Sequence, residues 1–460
     1  MRFSLLIGVL GITSLLTAQT ESSVYSGVTL AEIVQKAIAT YPSIQVSQEQ
    51  LNAAAAGILL ARTAYLPKVD LLAQANRATR NNVFGLLLPQ SAIPAISGPV
   101  LGTNNFGTAW GSVAGTLVTW EPFDFGLRRS YTEAARASRN QSEATLKRSR
   151  FEVAIAAADA YLTLVASQET VRAAQASVER SNSVLRVIAA LVAAELRPGA
   201  DASRAEAELA ATRIQVVQAS QAVEAARANL TRFSGLDTAQ LSLAATKLLE
   251  LPAEQVSAPF VSAANPLVAE QNATAEQAWA QLRTLERSYF PHFYLQGSAY
   301  ARGTGAELNG RLAGGLNGLA PTTQNYALGL TVTFAALDLP SLRAKEAMQI
   351  ATARSQEARS RQLAIEIHAQ WKIAVAAVQS SRAIAAITPV QVASARNTLR
   401  QATARYRAGL SNIEEVAEAQ RLVTQSEIDH ALARLNVWRA LLGVSAAAGD
   451  IEPFVAEASR

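Results

Sequence analysis

The sequence predicts a mainly α-helical chain with a small β part, built as two copies of one unit. Three observations predict it. Half of the 460 residues are apolar while only 6% are aromatic, and alanine supplies much of the difference. Alanine favours helix and lets helices approach closely. Two very long stretches, 128–196 and 341–407, read as helix, and the first contains neither proline nor glycine. Finally, landmarks of one half recur in the other at matched spacing.

The first element is a leader. Met1-Arg2-Phe3 carries one positive charge, residues 4–16 are almost wholly apolar, and Thr17-Ala18 offers small residues for cleavage. This is the pattern of a secretory signal peptide over residues 1–18. No later segment has about 20 uninterrupted apolar residues, as a hydrophobic spanning helix would. Cysteine is absent, which excludes disulfides, thiolate metal sites and a lipid-modified N-terminal cysteine. The net charge of +5 is spread over interspersed basic and acidic residues, so it describes solvated helix faces and no nucleic-acid partner.

The repeat comes next. Tyr41-Pro42 stands as far before Tyr65-Leu66-Pro67 as Asn265-Pro266 stands before Tyr289-Phe290-Pro291. Beyond those prolines, Val69, Leu71 and Ala73 match Phe293, Leu295 and Gly297. Ala160-Tyr161 matches Gln370-Trp371, and from each the same spacing reaches Gly199 in Arg197-Pro198-Gly199-Ala200 or Gly409 in Arg407-Ala408-Gly409-Leu410. The period far exceeds the roughly 20–50 residues of a solenoid, so this is a duplicated domain. The expected division is a first repeat over 28–235, an inter-repeat equatorial segment over 236–263, a second repeat over 264–443 and a C-terminal tail over 444–460.

Each repeat reads helix, strand, strand, very long helix, tight turn, helix. Residues 29–64 form the first helix, with Thr29 and Glu32 as a capping box. Residues 69–76 alternate, with Val69, Leu71, Ala73 and Ala75 on one face and Asp70, Gln74 and Asn76 on the other. After Pro291 the alternation is cleaner: Phe293, Leu295, Gly297, Ala299 and Ala301 oppose His292, Tyr294, Gln296, Ser298, Tyr300 and Arg302. Tyr326, Leu328, Leu330, Val332 and Phe334 mark another strand; residues 108–120 are rich in β-formers but their faces are ambiguous. Glycine-rich loops are expected at 81–105 and 303–325. Leu164, Val171, Val178, Leu185 and Val192 recur every seventh position, as do Leu209, Val216, Val223 and Leu230. That is a coiled-coil seam folded at Pro198-Gly199. Residues 341–407 and 413–442 form the second hairpin, interrupted at Thr388-Pro389, and each long helix spans roughly 100 Å.

Four strands cannot close a transmembrane barrel, which needs at least about eight. Open sheet edges in lipid leave backbone groups unsatisfied. The strands therefore belong either to a soluble sheet or to a barrel shared between chains. A soluble, exported coiled-coil scaffold or adaptor is the rival reading; it leaves the duplicated strand pairs unexplained. Catalytic chemistry is thin. His292, His368 and His430 lack metal-ligand spacing, and no nucleophile, phosphate-loop or zinc-protease motif is present. No enzyme, cofactor or metal site is expected. Trp110, Trp120, Phe123, Phe125 and Tyr289 are candidates for interfacial girdles.

Residues 30–42, Tyr65-Leu66-Pro67 with its repeat Tyr289-Phe290-Pro291, the run Trp120-Glu121-Pro122-Phe123-Asp124-Phe125-Gly126, and residues 406–420 together resemble the TolC family of outer-membrane efflux proteins. The family's proline-marked strand–helix junctions match Pro67, Pro122, Pro291 and Pro340. The resemblance implies a homotrimer in which three chains of four strands make a twelve-stranded barrel in outer-membrane lipid, continuing into a periplasmic α-helical barrel. It implies a passive exit duct for a tripartite efflux or type I secretion system, served by a periplasmic adaptor protein and an inner-membrane pump. By the same resemblance, Arg197, Pro198, Gly199, Ala200, Asp201, Arg407, Gly409, Leu410 and Ser411 form adaptor-docking tips. Glu415 and Glu418 would ring the pore constriction beside Tyr406. Ser411 stands where the family carries a gating arginine.

Overall fold

The computed structural model describes residues 27–79, 106–235, 243–244, 246–252, 260–307 and 311–459. The expected signal peptide, the loop at 81–105 and most of the inter-repeat segment lie outside them. Helix α1 (Leu30–Thr40) is followed by α2 (Pro42–Thr63), β1 (Lys68–Thr79), β2 (Thr108–Phe123), α3 (Leu127–Ala193) and α4 (Gly199–Ser234). The second half contains α5 (Pro266–Arg287), β3 (His292–Thr304), β4 (Thr323–Thr333), α6 (Leu339–Arg407), α7 (Ile413–Ala448) and a short α8 (Glu452–Ala458).

Thr29 and Glu32 form the capping box, each side chain accepting from the other's backbone N–H at 3.3 and 2.8 Å. The helix does not run unbroken to residue 64. Pro42 bars Tyr41 from helical geometry, and Tyr41 adopts φ −69°, ψ 127° before α2 begins. Asn265 precedes Pro266 with the same φ −69°, ψ 127°. The duplication extends to lengths: α2 and α5 have 22 residues each, and α4 and α7 have 36 each. Helices α3 and α6, of 67 and 69 residues, span roughly 100 Å at ~1.5 Å per residue.

The four strands form an antiparallel sheet in the order β1-β2-β3-β4, so the central β2–β3 pair joins the two repeats. Register settles the faces of β2. Val118, Thr116 and Ala114 lie opposite Val69, Leu71 and Ala73 on one side and Gly297, Ala299 and Ala301 on the other. Leu328 and Leu330 continue the row across β4, opposite Gly297 and Leu295. One face of the sheet is thus mainly apolar from β1 to β4, and in the single chain it is open, with Leu71 82% and Tyr326 88% exposed. The opposite face carries Asp70, Gln74, Gln296, Ser298, Tyr300 and Arg302. Gly115 opposes Tyr300 so closely that any side chain there would meet its Cβ at 2.3 Å.

The main core lies at the waist, where α1, α3, α4, α7 and α8 bury Ile33, Tyr161, Leu164, Leu230, Trp438 and Phe454. Tyr161 donates to the carbonyls of Val28 and Ala244, and Trp438 donates to that of Glu250. Helix α7 runs through Gly443 to Ala448, and Asn265 is fully buried against its last turn, donating to Ala446 and Ala447. A second apolar cluster, with Ile188, Tyr406 and Val416, lies near the hairpin ends. Of the expected heptad column on α3, Leu164 is fully buried, while Ala174, Ser177, Ser181 and Ile188 form the column buried furthest along the helix. Small residues there let α7 pack close, and Ser177 bonds Thr424 at 2.8 Å. Pro389 does not interrupt the second hairpin: α6 is continuous across it.

Candidate functional site: the hairpin tips and the strand–helix junctions

Both tips are built by one backbone device. Helix α3 ends with Leu196 N–H bonding Leu191 O at 2.9 Å and Glu195 N–H bonding Val192 O at 2.9 Å. Helix α6 ends with Leu410 N–H bonding Arg405 O at 2.9 Å and Gly409 N–H bonding Tyr406 O at 3.1 Å. Each is a Schellman closure, which requires a left-handed residue just past the helix. In the second hairpin that residue is Gly409, at φ 78°; in the first it is Glu195, at φ 60°. Gly199 was expected to supply this turn and does not. It opens α4 behind Pro198, with nothing within 4 Å of a Cβ placed on it.

This shifts the equivalence of the two tips by one helical turn. Leu196-Arg197-Pro198 corresponds to Leu410-Ser411-Asn412, since each triplet leads directly into α4 or α7. Leu196 and Leu410 are both 70% exposed at the two tips. Arg197 is therefore the counterpart of Ser411, and the two meet: Arg197 donates to the Ser411 carbonyl at 3.3 Å. Its guanidinium also donates to the Tyr406 carbonyl and stacks over the Tyr406 ring, 4.3 Å from the centroid. The buried Tyr406 hydroxyl donates to Asp201 Oδ2 at 2.8 Å. Burial, with the hydrogen bond to the Asp201 carboxylate, pushes the Tyr406 phenol up to about 12. The sequence singled out Tyr406, Arg197 and Asp201 separately; their union depends on a contact between hairpins.

Glu415 and Glu418 both lie on the exposed side of α7's first turns. Neither is isolated. Arg405 stands 3.5 Å from Glu415, and Arg421 stands 3.6 Å from Glu418. Arg421 is held more firmly by Glu208 of α4, through two bonds of 3.0 and 2.9 Å. Arg204 pairs with Glu414 in the same manner, so the tips of the two hairpins are cross-linked by charge. Arg407 and Ala200 are exposed.

At the other end, all four prolines lie close to where a strand meets a helix. Pro67 and Pro291 immediately precede β1 and β3, Pro340 lies in the first turn of α6, and Pro122 sits in a bulge of β2 between Trp120 and Phe123. The run after Pro122 explains its own composition. Asp124 accepts from the backbones of Gly126 and Arg128 and from the Arg128 side chain, at 3.1, 2.6 and 2.9 Å. Phe125 and Gly126 are both left-handed, which turns the chain abruptly into α3. Arg128 lies over the Tyr65 ring at 5.0 Å, and Trp120 donates to Tyr65 O at 3.2 Å. Phe125 stacks on Phe290 at 4.9 Å and packs edge-on against Phe123 at 4.6 Å. Sequence reading missed the Asp124–Arg128 lock, although an i, i+4 pair was visible. His292 bonds Glu121 at 2.8 Å beside this cluster. No group of residues suited to a metal ion occurs among the described residues.

Comparison with known proteins bears directly on this architecture. The family model for outer membrane efflux proteins matches residues 33–236 and 261–450, one match for each repeat. The chain belongs to that family. Solved structures share its fold. The outer-membrane channel OprN is 20% identical, with a TM-score of 0.73, covering 91% of this chain and 89% of its own. The Campylobacter jejuni CmeC outer membrane channel is 15% identical, with a TM-score of 0.74 over 95% and 90% of the two chains. The open state of the Neisseria gonorrhoeae MtrE outer membrane channel is 18% identical, with a TM-score of 0.69 over 92% and 89%. No curated protein matches this efflux protein in sequence. The family and its structural neighbours are channels rather than enzymes. This chain is accordingly an outer-membrane efflux protein, with the fold of outer-membrane channels.

Proposed function

We propose that three copies of this chain assemble into one duct that takes cargo passively from an inner-membrane pump, through a periplasmic adaptor docked at the tips, to the outside. The supporting observation is the sheet. It has two unpaired edges, β1 and β4, and one face that is mainly apolar, interrupted by Ser112, Thr116 and Gln324. Open edges are untenable in lipid. Pairing β4 of one copy with β1 of the next removes them, and three chains of four strands give a twelve-stranded closed barrel. The apolar face then meets lipid, and the face bearing Asp70, Gln296 and Arg302 meets water.

The helices support the same assembly. One stretch of α6 is long and apolar enough, by composition, to cross a membrane. In a tube of packed hairpins its exposed Ile373, Ile384, Ile387 and Val390 instead lie against neighbouring helices. The small residues of α4 around exposed Ile214 and Val217 offer a comparable surface.

At the tips, Arg197, Pro198, Gly199, Ala200 and Asp201 with Arg407, Gly409, Leu410 and Ser411 form the docking surface. The matched exposed Leu196 and Leu410 are its apolar contacts. Tyr406, clasped by Arg197 and Asp201, holds the two hairpins of each chain together at the constriction. Glu415 and Glu418 place acidic rings there, which attract cations. The docking test is export: Ala200→Trp and Leu410→Trp abolish export while the trimer still forms. Normal export from both variants contradicts the docking assignment.

A further inference from the structure

Pro389 breaks the hydrogen-bond ladder of α6 well before the tip at Arg407. Having no N–H, it leaves the Ala385 carbonyl without its helical donor. Thr388 supplies a replacement, its Oγ1 donating to Ala385 O at 3.3 Å. A hydroxyl has one proton, so with that proton committed Thr388 receives from its other partner. That partner is His430 Nδ1 on α7, at 2.9 Å. Burial, then Arg434 and Arg396, push the His430 pKa down, and with the Thr388 proton committed to Ala385 the bond needs a ring that carries a proton on Nδ1. Thr388 itself is 5% exposed.

The buried apolar side chains beside this relay are small, with Val392 and Ala395 just beyond Pro389 on α6 and Ala433 and Val437 on α7. The apolar contact here is a cluster of Ala385, Ala433 and Val437, separate from the waist core and from the tip cluster. Toward the tip, polar contacts join the buried Val392, Ala395 and Val423: Arg180 and Arg396 converge on Glu427 at 2.8 and 2.7 Å, and Ser177 meets Thr424. A helix with a proline bends where its ladder is already cut.

We propose that the His430–Thr388–Ala385 relay latches a hinge at Pro389, about which residues 390–407 of α6 turn when the duct opens. This rests on the reading of the tips as the constriction. In the intact assembly, Thr388→Val removes the hydroxyl with little change of shape, and Pro389→Ala returns the missing N–H. Thr388→Val raises amide hydrogen exchange over residues 390–396 about tenfold, and His430→Ala raises it less. In the Pro389→Ala background, the Thr388→Val effect falls below about twofold, because Ala385 then has its own donor. Unchanged exchange in Thr388→Val, or an equal rise with and without Pro389, overturns the relay. Raised exchange with unchanged channel conductance overturns its part in opening. Arg197→Ala separates that outcome from a failure of the underlying reading: it raises conductance if the tips are the constriction and leaves it unchanged if they are not.

Discussion

Arg197 of the first hairpin lies over the ring of Tyr406 in the second, 4.3 Å from its centroid, while the Tyr406 hydroxyl reaches back to Asp201 at 2.8 Å. One aromatic residue is therefore gripped from both sides by the opposing hairpin. Ser411, the position that sequence matching aligns with an arginine in the family, receives the Arg197 side chain on its carbonyl at 3.3 Å. Stacking and a charge-assisted hydrogen bond are each worth ~1 kcal/mol. Arg197→Ala is expected to raise the open fraction in single-channel recordings about fivefold. Tyr406→Phe keeps the ring but loses Asp201, and gives a comparable or smaller increase.

The two acidic positions differ in their partners, and so should their effects. Glu418 is 77% exposed, and its neighbour Arg421 is already engaged by Glu208. Glu415 is 42% exposed beside Arg405. Glu418→Gln is expected to weaken block by divalent cations more than Glu415→Gln does, when current is measured in planar bilayers. Equal or absent effects count against rings of charge on the axis.

The tips also predict a contrast between glycines. Gly409 occupies a left-handed turn, so Gly409→Ala costs ~1 kcal/mol. Gly199 begins a helix in open space, so Gly199→Ala gains roughly 0.5–1 kcal/mol. Glu195→Gly relieves the left-handed strain of the first tip and is stabilising by a similar amount. Thermal unfolding followed by circular dichroism ranks the variants; a destabilised Gly199→Ala contradicts this placement.

Much of the fold was legible because it is local. The alternation after Pro291 gave β3, the capping box at Thr29 gave the start of α1, and the absence of proline and glycine gave α3. The Tyr41-Pro42 and Asn265-Pro266 pair revealed the duplication, and their identical backbone angles show why. What was not legible depends on distant contacts. The faces of β2 emerge only from its register with β1 and β3, because Gly115, Thr116 and Thr119 blur the pattern. The left-handed residue of the first tip is a glutamate, so no glycine marked it and Gly199 drew the eye instead. Thr388-Pro389 suggests a break by local rules; Thr388 supplies a donor to the orphaned carbonyl and the helix continues. Arg197 meets Tyr406 across more than 200 positions of sequence, beyond any spacing rule.

The central claim is that four strands and two long hairpins per chain are one third of a closed duct. Electron microscopy of the mature protein, extracted from outer membranes in mild detergent, tests it most directly. The account predicts a three-fold particle in which a short barrel, closed by β4 pairing with β1 of the next copy, continues into a hollow helical stalk of roughly 100 Å. A water-soluble monomer or dimer without a central channel contradicts it.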